Sequence, residues 1–231
     1  MMRYKSLFFD LDDTLWATYQ NNTECLEELY TAHNLGRYYT SFEAFLNIYW
    51  PHNDQLWEAY RKGTIDRKTL IVERFRYMLQ PLGIEDTKSV LAINNEFLQR
   101  TTTKTRLIEG AIDILDYLHP NYRLFILSNG FHEVQLKKLV NSGLAPYFEK
   151  MILSEDAGIQ KPQKGIFDYA LVNTNSTRKG SLMIGDSWEA DIEGARNAQI
   201  DQLWLNPNKL KPHKFKPTYT VGTLNEIMTI L

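Results

Sequence analysis

With 231 residues, 43% hydrophobic and 23% charged, the chain has the balance of a soluble globular protein, long enough for one large domain or two modest ones. A net charge of -2 speaks against a nucleic-acid polymer or an anionic membrane surface as partner, since both call for a basic excess. The single cysteine, Cys25, excludes an internal disulfide and points to a reducing cytoplasm, and the apolar patch behind Arg3 and Lys5 is cut by Asp10 too soon for a signal peptide or a membrane span.

Residues 4–10 read as a buried strand whose apolar run, Leu7-Phe8-Phe9, ends on Asp10, Asp12 and Asp13. Helical spacing then takes over. A first helix begins near Asn22 and carries Leu26, Leu29 and Tyr30, and a second, capped by Ser41, carries Phe42, Phe45, Leu46 and Tyr49. A further short helix is expected from Asn53, with Leu56, Trp57 and Tyr60, ended by Gly63. Asp66 precedes a helix that stops at Pro81-Leu82-Gly83, and Asp86 precedes another with Val90, Leu91, Asn94 and Leu98. No strand signal interrupts 16–103, which predicts an all-α helical bundle inserted after the first strand.

From 104 onward strands and helices alternate. The pattern predicts a helix at Ala111–Leu118, a strand at Arg123–Leu127, a helix at Glu133–Val140 and a strand at Lys150–Leu153. Next come a helix at Ile166–Val172, a strand at Ser181–Ile184, a helix around Glu189–Ala198 and strands at Gln202–Leu205 and Tyr219–Val221, with a closing helix at Leu224–Leu231. The expected fold is α/β: residues 1–15 and 104–231 make a Rossmann-like, doubly wound parallel sheet core, and 16–103 make an inserted helical domain. The lysine- and proline-rich stretch 206–217 reads as a solvated loop.

In such a sheet, ligands bind at the carboxyl ends of the strands. Four ends carry reactive or phosphate-compatible residues: Asp10 and Asp12; Ser128-Asn129-Gly130; the loop leading to Lys161-Pro162; and Gly185-Asp186-Ser187. A carboxylate attacks phosphorus only if the charge of its target is offset, which calls for a divalent cation and a lysine. Asp10 is read as the nucleophile, and Asp10 and Asp186 with a backbone carbonyl near Asp12 as a partial cage for Mg²⁺, the metal set being Asp10, Asp12 and Asp186. Asp191 is expected to orient metal-bound water, Ser128 and Asn129 to bind phosphate, and Lys161 to add positive charge. Repulsion from Asp10 is expected to raise the carboxyl of Asp12, making it a proton donor and acceptor. Asp13 and Thr14 are read as the turn out of the strand.

D-L-D-D-T (Asp10–Thr14), S-N (Ser128-Asn129), K-P (Lys161-Pro162) and G-D-S-x-x-x-D (Gly185–Asp191) together resemble the four motifs of the haloacid-dehalogenase-like hydrolase superfamily. The resemblance implies a phospho-aspartyl mechanism on Asp10, with Asp12 as acid/base and Asp186 on Mg²⁺, and a mobile cap made by the helical insertion. Asp12 argues for phosphoryl chemistry, because the dehalogenating members lack that second aspartate. L-W-E-A-Y-R-K-G-T-I (Leu56–Ile65), S-N-G-F, K-P-Q-K-G-I-F-D-Y-A-L, W-L-N-P and P-T-Y-T-V-G-T-L-N-E-I resemble the bacterial house-cleaning pyrimidine 5'-nucleotidases. The implied partner is a small phosphomonoester, a nucleoside monophosphate, acted on by a monomer or small homo-oligomer. A sugar-phosphate phosphatase or phosphomutase and a non-catalytic binding protein remain the alternatives. Trp16, Tyr19, Trp50, Trp57 and Tyr60 are the aromatic candidates for stacking on a base, with packing inside the bundle as their other reading.

Overall fold

The computed structural model describes residues 3–231. It contains a six-stranded, wholly parallel sheet in the order β3-β2-β1-β4-β5-β6. The strands are β1 (Ser6–Phe9), β2 (Arg123–Ser128), β3 (Lys150–Leu153), β4 (Ser181–Gly185), β5 (Asp201–Leu205) and β6 (Tyr219–Val221). Their near-continuous apolar sequences follow from burial on both faces. Leu7 and Phe9 of β1, Leu124 and Ile126 of β2, and Leu182 and Ile184 of β4 enter one core; Phe8, Phe125, Leu127 and Met183, alternating with them, enter the other. The chain moves outward from β1 through β2 to β3, then returns to place β4 on the other side of β1. That reversal sits at the carboxyl ends of β1 and β4, so residues leaving those two strands become neighbours.

The chain divides into two compact units. One comprises the chain up to Thr18 together with Thr105–Leu231, and the other is Tyr19–Lys104. The first holds the sheet with α5 (Ala111–Leu118), α6 (His132–Asn141), the short α7 (Ser154–Ala157), α8 (Lys164–Asn173) and α9 (Gly194–Asn197). The second is built from α1 (Thr18–Ala32), α2 (Phe42–Arg61), α3 (Arg67–Leu79) and α4 (Thr87–Thr101), around Leu26, Leu29, Phe45, Tyr49, Phe75, Met78, Val90 and Phe97. Ser41, Asp66 and Asp86 cap α2, α3 and α4 through their side-chain oxygens. Among the described residues no helix is long and apolar enough to cross a membrane.

Three elements depart from the sequence pattern. The break expected before Asn53 is absent: α2 runs unbroken for 20 residues through Pro51. Tyr49 on its first half packs on Phe75, and Trp57 on its second half lies under Arg74, so α3 holds both halves in line against the cost of the missing N–H. The helix expected around Glu189 begins as a π-helix over Trp188–Glu193 before α9. The closing segment is a 3₁₀ helix, Leu224–Thr229. The stretch 206–217 is a loop, exposed over 207–214.

Candidate active site

Asp10 follows β1, and its N–H donates to the carbonyl of Ile184 on β4 at 2.9 Å, which fixes the aspartate against the switch point. Its carboxylate accepts from the Lys161 ammonium at 2.6 Å. Lys161 is 2% exposed, and its other protons go to Asp191 at 2.6 Å and to the Leu127 carbonyl at 2.7 Å, so all three donors are used. The Lys161-Pro162 peptide is cis. Asn129 grips the backbone of Lys161 on both sides, donating to its carbonyl at 2.9 Å and accepting from its N–H at 2.8 Å.

Asp186 leaves β4 beside Asp10. Thr14 donates to its carboxylate at 3.1 Å and accepts from its N–H at 3.1 Å, while the Trp204 indole donates to its carbonyl at 2.9 Å. The π-helical turn brings Asp191 back under this loop, where it accepts from the Ser187 N–H at 3.1 Å. Gly185 is required for this approach, because a Cβ there would run into the Asp191 carboxylate.

Oxygens of Asp10, Asp186 and Asp191 lie within 4.8 Å of one another. Burial raises the carboxyl of Asp186 well above its ordinary range, and Asp10, Asp191 and Asp13 raise it further. Burial likewise lifts Asp10, Lys161 opposes it, and Asp191 and Asp12 add to the rise, leaving Asp10 at about 7. Lys161 is raised: burial disfavours its charge, but Asp10 and Asp191 outweigh that. Asp10 and Asp191, both buried, share the Lys161 ammonium, and with the half-buried Asp186 they bring together three carboxylates on hard oxygens, the donor set that suits Mg²⁺.

Asp12 occupies a separate network. Lys138 donates to it at 2.5 Å, Gln135 at 2.6 Å and Thr18 at 2.7 Å. The expected rise of the Asp12 carboxyl is overturned. Burial pushes it up, but Lys138 and the three hydrogen bonds more than offset this, and the net shift is downward. The metal ligand expected near Asp12 is a backbone carbonyl, and the carboxylates that lie together are those of Asp10, Asp186 and Asp191, the last expected to orient metal-bound water. Gln135 donates as well to Ser128 at 2.7 Å, and Ser128 accepts from the Gly130 N–H at 3.1 Å. One amide therefore ties Asp12 to the loop after β2.

Thr14, Thr18, Gln135 and Lys138 are the participants that sequence reading misses. Gln135 and Lys138 sit three apart on α6 with Val134 and Leu139, and all four are buried. Polar residues on the apolar face of a helix are the signal that marks them. His132 does not join either network; it is mostly exposed, with Nδ1 at 3.5 Å from Asp156. Trp16 is fully buried in the core with the Lys138 ammonium 4.2 Å from its ring centre, and Tyr19 stacks on Trp50 at 4.8 Å.

Residues 7–205 match the model of the haloacid dehalogenase-like hydrolase family. Over its whole length the chain is 32% identical to the pyrimidine 5'-nucleotidase YjjG of Escherichia coli K12, with 99% of YjjG covered. It is 33% identical to the pyrimidine 5'-nucleotidase PynA of Streptococcus pneumoniae, with 96% of that protein covered. The crystal structure of the HAD-hydrolase YfnB of Bacillus subtilis, a magnesium-bound form described as revealing interdomain movement, superposes with a TM-score of 0.89 at 32% identity, covering 100% of this chain and 99% of YfnB. From the match over residues 7–205 and these full-length relatives, the chain belongs to the haloacid dehalogenase-like hydrolase family.

Proposed function

We propose that this hydrolase cleaves phosphomonoesters through a phospho-aspartyl intermediate on Asp10, with Mg²⁺ as cofactor, and that its substrates are pyrimidine nucleoside monophosphates. The observation that carries the chemistry is the pair of differently wired aspartates two residues apart, Asp10 against Lys161 and Asp12 against Lys138. Asp10, Asp186 and Asp191 offer the oxygens for Mg²⁺, which when bound offsets the charge of the phosphoryl group. Lys161 adds a fixed positive charge beside the attacking oxygen, held there by Asp191, the Leu127 carbonyl and the Asn129 clasp on its backbone. Ser128, through its hydroxyl proton, and Asn129 receive the phosphate, the Ser128 oxygen being held by Gln135 and the Gly130 N–H.

Asp12 protonates the leaving alkoxide and then takes a proton from the water that hydrolyses the acyl phosphate. Its ion pair with Lys138 holds it as a carboxylate in the free protein. The first proton therefore arrives with the substrate, whose monoester has its second pKa at about 6.

The pyrimidine preference is supported by end-to-end likeness to two proteins named as pyrimidine 5'-nucleotidases. A panel of pyrimidine and purine monophosphates and hexose phosphates, compared by kcat/KM, tests it. The highest value is expected for pyrimidines, and a clear preference for hexose phosphates overturns the reading.

A further inference from the structure

Gln135 of α6 sits where the two halves of the proposed chemistry meet. It is 1% exposed, and both protons of its amide nitrogen are committed, one to Asp12 Oδ2 at 2.6 Å and one to Ser128 Oγ at 2.7 Å. An amide oxygen in that place would face a carboxylate, so the nitrogen is the atom that belongs there. The amide oxygen is buried without a partner. An orphaned acceptor costs stability, which an apolar side chain of the same length avoids. What glutamine supplies beyond such a side chain is its pair of N–H groups. Gly130 makes room for them, since a Cβ there would lie 2.7 Å from Gln135 Cγ and closer still to the amide carbon and nitrogen.

Each bond constrains the atom that receives it. Ser128 Oγ accepts from Gln135 and, at 3.1 Å, from the Gly130 N–H, which occupies both of its lone pairs. Its single proton is left free to donate, the polarity that a phosphate oxygen accepts. The two oxygens of Asp12 differ in the same way. Oδ1 accepts from Lys138 at 2.5 Å and from Thr18 at 2.7 Å, whereas Oδ2 accepts from Gln135 alone among the described residues. Oδ2 is therefore the oxygen with room for a proton.

We infer that Gln135 is a positioning residue for both ends of the bond that breaks: it frees the Ser128 proton for the phosphoryl group and presents Asp12 Oδ2 to the leaving oxygen. Both roles rest on the reading of Ser128 and Asp12 proposed above. Oδ2 binds the proton that the substrate's monoester brings. As an Asp10 oxygen bonds to phosphorus, the bond from phosphorus to the ester oxygen breaks, and that oxygen takes the proton from Oδ2. The products of the step are the free alcohol, the acyl phosphate and an ionised Asp12. Because one amide holds both groups, phosphate capture and proton delivery fail together when it moves.

Two variants disturb the amide independently. Gln135→Met keeps the length of the side chain and removes both donors, and Gly130→Ala keeps the amide and displaces it. Calorimetric titration of the Mg²⁺-loaded protein with inorganic phosphate reads the first role, and kcat for ethyl phosphate relative to p-nitrophenyl phosphate reads the second. Both variants are expected to weaken phosphate by about tenfold, the loss of one hydrogen bond to a charged acceptor, and to lower the kcat ratio by about tenfold. Ser128→Ala is expected to weaken phosphate and leave the ratio unchanged. Adding Gln135→Met to Ser128→Ala is expected to weaken phosphate no further, since Gln135 acts on it through Ser128. Additive losses in that cycle, or an unchanged kcat ratio in both Gln135→Met and Gly130→Ala, overturn the inference. A Gln135→Met protein whose only change is a lower melting temperature also overturns it, and if that variant does not fold, the two readouts on Gly130→Ala decide. Retained turnover in Asp10→Asn, with the expected losses in Gln135→Met, defeats the phospho-aspartyl reading and leaves Gln135 as a positioning residue.

Discussion

Three cations are buried among the described residues, and the two units treat them in opposite ways. At the carboxyl edge of the sheet, Lys161 spends every proton on Asp10, Asp191 and a carbonyl, and Lys138 is paired with Asp12. Inside the helical unit, Arg74 has two aromatic neighbours and no carboxylate. The difference teaches that a buried cation is placed by carboxylates in one unit and by aromatic rings in the other. In the chemistry proposed for the sheet edge, the acting groups are held in place before substrate arrives, which removes the cost of arranging them during reaction. Arg74 is instead flanked by aromatic rings, and burial lowers its guanidinium with no carboxylate to offset the loss of hydration.

Breaking the wired side has the largest expected consequence. Asp10→Asn should lower kcat for p-nitrophenyl phosphate by at least about 10⁴-fold with an unchanged circular dichroism spectrum. Substantial turnover by that variant removes Asp10 as the nucleophile. Lys161→Met leaves two buried carboxylates facing each other, and should cost about 3–5 kcal/mol in urea denaturation as well as activity. Arg74→Met, which removes a buried charge that no carboxylate compensates, should keep its stability, and equal losses in the two variants break the contrast between the units.

Lys138→Met tests the second network. It should lower kcat by roughly 10²-fold, and more for alkyl phosphates than for p-nitrophenyl phosphate, whose leaving group needs less help from a proton. Equal losses across leaving groups contradict the part given to Asp12.

The pH dependence of stability follows from Asp10. With its folded-state carboxyl at about 7 and an ordinary unfolded value of about 4, the native protein binds a proton in that window that the unfolded chain does not. In the presence of a chelator, stability should therefore rise as pH falls from about 7.5 to about 5.5, with Asp186 acting in the same direction. Asp12, lowered in the fold, contributes stability that is present at these pH values and lost only below the ordinary carboxylate range. Melting temperatures across this range check the slope, which should flatten in Asp10→Asn and with added Mg²⁺. A slope of opposite sign in the chelated wild type contradicts the picture of crowded, under-compensated carboxylates. The smallest effect belongs to the helical unit's scaffold: Ser41→Ala removes the hydrogen bond to the Ala44 N–H at the start of α2 and should cost about 1 kcal/mol, without altering p-nitrophenyl phosphate hydrolysis.

Much of this was legible in the chain because it is local. Short apolar runs ending on Asp10, Ser128 and Gly185-Asp186 mark parallel strands and the edge where ligands bind, since strand length and turn chemistry are properties of neighbouring residues. Helical spacing between Trp16 and Thr103 likewise announced a bundle, though it placed a break before Asn53 that packing on α3 overrides. Which cation meets which carboxylate was not legible. Lys138 and Gln135 look like ordinary helix residues until α6 turns them onto Asp12, and Thr14 looks like part of a turn until the sheet sets it against Asp186. The opening cluster of aspartates by itself determined that charge would be concentrated at the end of β1. Only the tertiary structure decided how that charge is divided, raising Asp10 and lowering Asp12, because the energy of a buried charge depends on the partners within a few ångströms in space and hardly at all on their distance along the chain.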